Sequence, residues 1–262
     1  YTGGGTVTSN ASEELLELAD KIDAPIGSSM MGLTSAEYGH PRFLGMTGMH
    51  GKFVASKALA SADLLIAVGT RFSDRATGNK TAFIKGKKVI HIDIDPSEIS
   101  KNIPAMVPLI GDVKQVLKKL NSELTKAERP DWAAIIDELK QNPDSHLEMP
   151  KDTLNPQTVI SALNRYAERD TVVCTDVGQH QMWTAQYYRF YEPRTFVTSG
   201  GLGTMGFGLG AALGACLGRD RKKTILVTSD GSFHMNMNEM ATAVSEQLPI
   251  IIVLLNNNTL GM

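Results

Sequence analysis

Two apolar runs, Thr224 to Thr228 and Ile250 to Leu255, enclose a stretch of helical character from Asn236 to Gln247. Strand, helix and strand of these lengths make one βαβ unit, in which the crossover makes the two strands parallel. Parallel neighbours present their carboxyl ends at one edge of the sheet. The first run ends in Ser229-Asp230-Gly231-Ser232 and the second in Asn256-Asn257-Asn258. Asp230 and Asn257 are therefore expected close in space, although 27 positions separate them in the chain. One carboxylate, one amide oxygen and a loop carbonyl are a partial set of hard oxygen ligands, which Mg²⁺ completes with phosphate oxygens and water. Gly231 and Ser232 open the following helix, and their N–H groups suit a bound phosphate. The expected ligand is a metal–diphosphate. An Asp-Gly turn beside an Asn-rich loop explains the same residues by turn chemistry alone.

The rest of the chain repeats the alternation. In residues 1–125, strand-like runs lie at Pro25 to Ser29, Asp63 to Val68, Lys88 to Ile94 and Val107 to Ile110. Helices are expected from Ser12, as cap, through Ile22, from His50 to Ala60, and from Val113 to Leu124 with Val113, Val116, Leu117, Leu120 and Leu124 on one face. Strand ends carry Gly or Asp at Gly3 to Gly5, Gly69, Asp93 and Asp112, the edge at which parallel sheets bind nucleotides. Residues 126–155 are polar, with Pro130, Pro143 and Pro150 and a helix near Asp131 to Lys140, and read as a linker. Residues 156–262 open a second parallel α/β domain, with Asn155 capping a helix at Pro156 and strands at Thr171 to Thr175 and Thr195 to Thr198. The fold class is α/β, two parallel-sheet, three-layer domains.

Gly201-Leu202-Gly203-Thr204-Met205-Gly206 fits G-x-G-x-x-G, follows a strand and opens a small-residue helix from Phe207 to Leu217. With Asp230 ending the next strand, that is the pattern of an NAD-binding unit, the rival to a metal–diphosphate site. The rival leaves the Asn pair and Gly178-Gln179-His180 without a task, and the glycines equally serve close helix–strand packing.

Composition excludes several classes. A net charge of −2 over 262 residues favours neither nucleic acid nor an anionic membrane. No apolar run reaches spanning length. Two cysteines, Cys174 and Cys216, lack metal spacing and suit a reducing cytoplasm. The chain opens at Tyr1 without Met and stops at Met262 just past a strand, so the expectation is a segment of a longer protein, with the second domain truncated at its C-terminus.

The DG and NN pair at this spacing resembles the thiamine diphosphate (ThDP) signature of ThDP-dependent decarboxylases and carboligases, with Ser229 where that family usually has Gly. SGGLGTMGFGLGAALGA at 199–215, TDVGQHQMW at 175–183, LGMTGMHG at 44–51, RFSDRATGN at 71–79 and HIDIDPSEI at 91–99 resemble the acetolactate synthase (acetohydroxyacid synthase) large catalytic subunit family over nearly the whole chain. Gly210 stands where that family commonly has Pro.

The resemblance implies a Rossmann-like central domain and a ThDP pyrophosphate-binding domain. It implies that Gly178, Gln179, His180, Gly203, Gly231 and Ser232 contact ThDP and that Met205 props the thiazolium of a bent coenzyme. It further implies that Asp230, Asn257 and the Thr259 carbonyl bind Mg²⁺ and that Met262 borders the substrate pocket. Gly4, Gly5, Met49, His50, Gly69, Arg71, Asp93, Ile94, Asp112 and Val113 fall on FAD-contacting motifs. The bland alternatives stay open: a core methionine at 205, a satisfied structural histidine at 180, a turn aspartate at 93. The implied reaction joins two 2-oxo acids with loss of CO₂, pyruvate with pyruvate or 2-oxobutyrate, early in branched-chain amino-acid biosynthesis, without net redox at FAD. A homodimer or homotetramer, a regulatory subunit and a cytoplasmic location are implied with it. Pyruvate oxidase, glyoxylate carboligase and sulfoacetaldehyde acetyltransferase are the other ThDP enzymes that such motifs allow. The activating Glu of that family, from a pyrimidine-binding domain, matches no position among these residues, and the segment alone is expected to be inactive.

Overall fold

The computed structural model describes residues 1–146, 149–150, 152–257 and 259–261. The chain divides into two compact units, Tyr1–Leu147 and Glu148–Met262.

In the first unit, α1 (Gly4–Thr8) and α2 (Ser12–Lys21) precede β1 (Ile26–Ser28) and β2 (Phe43–Met46). Then come α3 (Phe53–Ser61), β3 (Leu64–Val68), α4 (Asp74–Thr77), α5 (Lys80–Ile84), β4 (Lys88–Asp93), β5 (Val107–Ile110), α6 (Val113–Glu123) and α7 (Pro130–Gln141). All strand pairs are parallel. Residues 1–3 form the lane between β1 and β3: Thr2 N–H donates to Gly27 and Gly3 N–H to Val68, with parallel bridges from Thr2 to Ser28 and Val68. The lateral order is thus β2, β1, residues 1–3, β3, β4, β5. That is the doubly wound order of dinucleotide-binding folds, whose direction reverses between the first lane and β3.

Both faces of this sheet are covered, as an all-parallel sheet requires. Leu15 and Leu18 of α2 and Val113 and Leu117 of α6 close on Ile26, Val68 and Ile92. Leu65, Ala67 and Val89 point the other way, onto Phe72 and Ile103. The stretch read as a linker holds α7, whose Ile136 packs with Leu44, Val54 and Ala58 of the first unit. Ser12 is the first helical residue of α2 rather than its cap. Ala11 holds the cap position, and the buried Ser12 hydroxyl has no partner.

The second unit runs α8 (Pro156–Tyr166), β6 (Val172–Thr175), α9 (Gln179–Tyr187), β7 (Phe196–Val197), α10 (Phe207–Gly218), β8 (Thr224–Ser229), α11 (Asp230–His234), α12 (Met240–Ser245) and β9 (Ile250–Leu255). Asn155 caps α8 in a capping box with Thr158. The sheet is parallel, in the order β7-β6-β8-β9. Its direction reverses between β6 and β8. Gly208, Leu209 and Ala212 let α10 lie close on Val172, Cys174 and Leu226. The helix expected over 236–247 is shorter: a 3-10 turn at Met237–Glu239 precedes α12. Among the described residues no helix is long and apolar enough to cross a membrane.

Leu117 is fully buried at the centre of the first core. Leu117→Ala should lower the unfolding free energy of the first unit by about 2–5 kcal/mol, read as an earlier urea midpoint.

Candidate functional site

The second unit's candidate site lies at its switch point. β6 ends in Asp176-Val177-Gly178 and β8 in Asp230-Gly231-Ser232, side by side through the register Thr175↔Val227. The register Ser229↔Leu255 then brings Asn256 and Asn257 to the same edge. A hydrogen bond from the Ser232 hydroxyl to the Val177 carbonyl, 2.8 Å, ties the two turns. Asn257 and Leu260, beyond β9, lie against them. Asn257 Nδ2 donates to Gln179 Oε1 at 2.8 Å, and Thr259 N–H donates to Asn257 Oδ1 at 3.2 Å. Leu260 covers Gly231 so closely that a Cβ there would lie 2.5 Å from Leu260 Cδ2. Met205 joins the group, its Cε 3.7 Å from that same Cβ position.

Two polar atoms at this edge have no partner. Asp230 Oδ1 is buried and unbonded, and so is His180 Nε2 on a histidine that is 1% exposed. Burial holds the His180 pKa down to about 4 from 6.5, against the hydrogen bond to the Asp176 backbone and the charge of Asp230. Gly178 carries φ +149°, and a Cβ there would sit 2.9 Å from His180 Cε1, so only glycine lets the imidazole fold under its own turn.

A magnesium ion fits this donor set. Asp230 offers an unused carboxylate oxygen, and Asn257 Oδ1 keeps a second lone pair beyond its bond to Thr259. Among the described residues no group of three or more His, Cys, Asp or Glu could hold a metal unaided. Phosphate oxygens and water would therefore have to complete the shell, as Mg²⁺ prefers. The helix at Gly231 and Ser232 is shorter than its sequence suggests. α11 has five residues, so its dipole adds little, and free N–H groups are what it offers a phosphate. Gly203 lies in the preceding loop at φ +67°. Met262, expected at the substrate pocket, lies outside the described residues.

The helix that the G-x-G-x-x-G segment opens, α10, already has a carboxylate at its start: it is capped by Asp176, which lies outside that motif. Asp176 Oδ1 accepts Gly206 N–H at 2.7 Å and Val177 N–H at 3.2 Å. Burial pushes this carboxyl above the usual range, while the N–H groups of Gly206, Val177, Gly208 and Phe207 pull it down. The α10 amides that a dinucleotide pyrophosphate would need thus face a carboxylate. The only sequence signal for Asp176 is its place at a strand end.

In the first unit the switch point lies between Gly3 to Gly5 and Gly69. Gly5 N–H donates to Gly69, and a Cβ on Gly5 would lie 2.7 Å from Gly69 Cα, so both glycines are required by the chain crossing itself. Met49 and Ile94 project from the carboxyl edge, 70% and 67% exposed. Exposed apolar side chains beside a nucleotide crevice fit a flat ring system. His50 is half-buried, with its pKa lowered by burial and by Arg75. Asp93 Oδ1 accepts Asp95 N–H, and Asp112 Oδ1 caps α6 through Gln115 N–H at 3.1 Å. Val113 belongs to the core, and the exposed Arg71 gives its carbonyl to Asn102. The structure thus places Gly4, Gly5, Met49, Gly69, Asp93, Ile94 and Asp112 at this edge, with Asp112 also capping α6 and the Val113 side chain in the core.

Comparison with known proteins bears on both units. The family model described as "Thiamine pyrophosphate enzyme, central domain" matches residues 1–120, and "Thiamine pyrophosphate enzyme, C-terminal TPP binding domain" matches residues 176–262. The acetolactate synthase large subunit of Buchnera aphidicola subsp. Acyrthosiphon pisum is 43% identical over 267 residues, covering 100% of this chain and 47% of that protein. The isozyme 3 large subunit of Escherichia coli (strain K12) is 41% identical, with 100% and 47% covered. The large subunit of Corynebacterium glutamicum is 43% identical, with 100% and 43% covered. The chain spans about half the length of the curated relatives it matches.

His180 sets a pH dependence. Its folded pKa lies below its unfolded value, so its contribution is complete above pH 6.5 and is lost as pH falls toward 4, where the unfolded chain takes up a proton the folded one refuses. Thermal unfolding of the second unit should move to lower temperature across that window. His180→Gln should flatten the slope, even though the raised carboxyl of Asp176 works in the opposite sense at the acid end.

Proposed function

The chain belongs to the thiamine pyrophosphate enzymes, and on that premise we propose that it is the central and coenzyme-binding part of an acetolactate synthase large subunit, holding thiamine diphosphate through Mg²⁺ in its second unit. The observation that carries this reading is the unpartnered, buried Asp230 Oδ1 at a switch point that also gathers His180, Met205 and Asn257. Asp230 and Asn257, with the Thr259 carbonyl, are the ligands for the ion, and Gly231 and Ser232 offer N–H groups to the diphosphate. Gly178, Gln179 and His180 form the opposite wall. His180 stays neutral at physiological pH and so presents a ring nitrogen without adding a charge. Met205, beside Gly231, would be the apolar support for the coenzyme's thiazolium. When bound, thiamine diphosphate supplies a thiazolium electron sink for decarboxylating a 2-oxo acid.

The relatives' names support acetolactate as product, and the substrates proposed are those the family resemblance implies: pyruvate, joined to a second pyruvate or to 2-oxobutyrate, early in branched-chain amino-acid synthesis. The first unit's switch point is the proposed FAD site, with Met49 and Ile94 against the flat rings and Gly4, Gly5 and Gly69 at the phosphates. The enzyme is read as a cytoplasmic homo-oligomer with a regulatory partner. The two buried free thiols suit a reducing compartment.

Calorimetric titration of thiamine diphosphate into the chain should show binding that requires Mg²⁺. Asp230→Ala should weaken it on the order of a hundredfold, the scale of removing a charged partner from a partly desolvated site. Full-length protein carrying these residues should form 2-acetolactate from pyruvate. Turnover of glyoxylate or sulfoacetaldehyde in place of pyruvate would overturn the substrate assignment, and binding that ignores the metal would overturn the coenzyme site.

A further inference from the structure

Asp176 takes no part in the metal or diphosphate set described above, yet it is among the most buried carboxylates of the chain, 1% exposed. Its own N–H is fixed to Val227 of β8 at 3.1 Å, so the residue cannot drift with the loop it caps. Its Oδ1 holds Gly206 N–H at 2.7 Å. On the far side of the same residue, Asn236 Nδ2 donates to the Gly206 carbonyl at 2.7 Å. The two peptide groups that flank Gly206 are therefore gripped from opposite sides. Gly206 accepts this only because it is glycine: φ is +87°, and a Cβ would lie 3.0 Å from Met235 Cβ. Gly208 is excluded from any larger residue by the same carboxylate, which a Cβ would approach to 2.9 Å.

The residue before this clamp is Met205. Among the described residues, its N-terminal neighbours are held lightly, by Thr204 N–H on the Ser199 hydroxyl and Gly200 N–H on the Thr198 carbonyl. The Met205–Gly206 peptide is thus the point at which the loop becomes rigid, and Met205 leaves it toward Gly231. We propose that Asp176 is a positioning residue, whose carboxylate, acting with Asn236 through the Gly206 peptide, sets where Met205 stands beneath the coenzyme. The proposal rests on the reading of Met205 as the coenzyme's support. Asp176 touches neither coenzyme nor substrate. Its charge is used on backbone N–H groups, where a carboxylate forms hydrogen bonds about twice as strong as neutral ones.

The test uses the 262-residue chain with ¹³C-methyl methionine, followed by NMR, with Mg²⁺–thiamine diphosphate as probe. In the unaltered chain the Met205 methyl signal should shift on adding the probe. Asp176→Asn keeps the shape but turns an N–H₂ toward backbone donors. It should displace the ligand-free Met205 signal and the Gly206 amide signal, leave the Met182 and Met46 methyls in place, and weaken probe affinity by about tenfold, the scale of a lost charged hydrogen bond. Asn236→Ala, on the exposed side of the clamp, should displace the same two signals to a smaller extent. An unaltered chain whose Met205 methyl ignores bound probe would overturn the support role and this proposal with it. A probe-responsive Met205 that Asp176→Asn leaves unmoved would overturn the proposal alone. Should Asp176→Asn fail to fold, amide exchange in the unaltered chain decides: Gly206 N–H exchanging as slowly as the β8 amides supports the clamp, and exchange as fast as residues 200–204 overturns it.

Discussion

A carboxylate oxygen shut away from water and given no donor costs free energy, and a fold that keeps one needs a reason. Asp230 Oδ1 is such an atom. The strand before it, the turn tied to Val177 by Ser232, and Leu260 over Gly231 all border it. A divalent cation would supply the missing partner, and because no cluster of three or more His, Cys, Asp or Glu occurs among the described residues, a phosphate-bearing molecule and water would complete its shell. The unpartnered nitrogen of His180 faces the same problem with the opposite sign: buried and neutral, it can serve a polar ligand without bringing a charge.

Each unit reaches its site by the same topological device. A parallel sheet that reverses its winding leaves a crevice where two helices depart in opposite directions. In the first unit the reversal lies between residues 1–3 and β3, in the second between β6 and β8. The chain spends glycine at the first crevice to let backbones cross, as at Gly5 and Gly69, and titratable groups at the second. The first crevice is thus lined by glycines and exposed apolar side chains, and the second by polar and ionisable ones.

Much of this was legible from residues alone, for physical reasons that particular elements expose. β3, β4 and β8 are largely buried on both faces, so their runs are mostly apolar and their Gly or Asp ends stand out, while β9 is apolar throughout although Ile251 and Leu254 are exposed. The proximity of Asp230 and Asn257 followed from parallel pairing, which the register of β8 with β9 reproduces. β2 gave little signal because Gly45, at φ +95°, interrupts a four-residue strand. α9 gave no helical signal because His180, Gln181, Met182, Thr184 and Ala185 are all buried, and a helix covered on every side shows no stripe. The misplaced cap at Ser12 shows that a cap-forming residue near a helix start need not occupy the cap. Asp176 was missed because its partner, Gly206, is 30 residues away and carries no side chain to pair with it in a sequence pattern.

In the proposed coenzyme site Asp230 and Asn257 share one ion together with a diphosphate. Crystals grown with thiamine diphosphate and Mn²⁺ in place of Mg²⁺ test it directly, because Mn²⁺ is located by its anomalous scattering. The account predicts one anomalous peak within ligand distance of Asp230 Oδ1 and Asn257 Oδ1, with diphosphate density against it at the Gly231 turn. A coenzyme bound without an ion there, or an ion held away from both side chains, would contradict it.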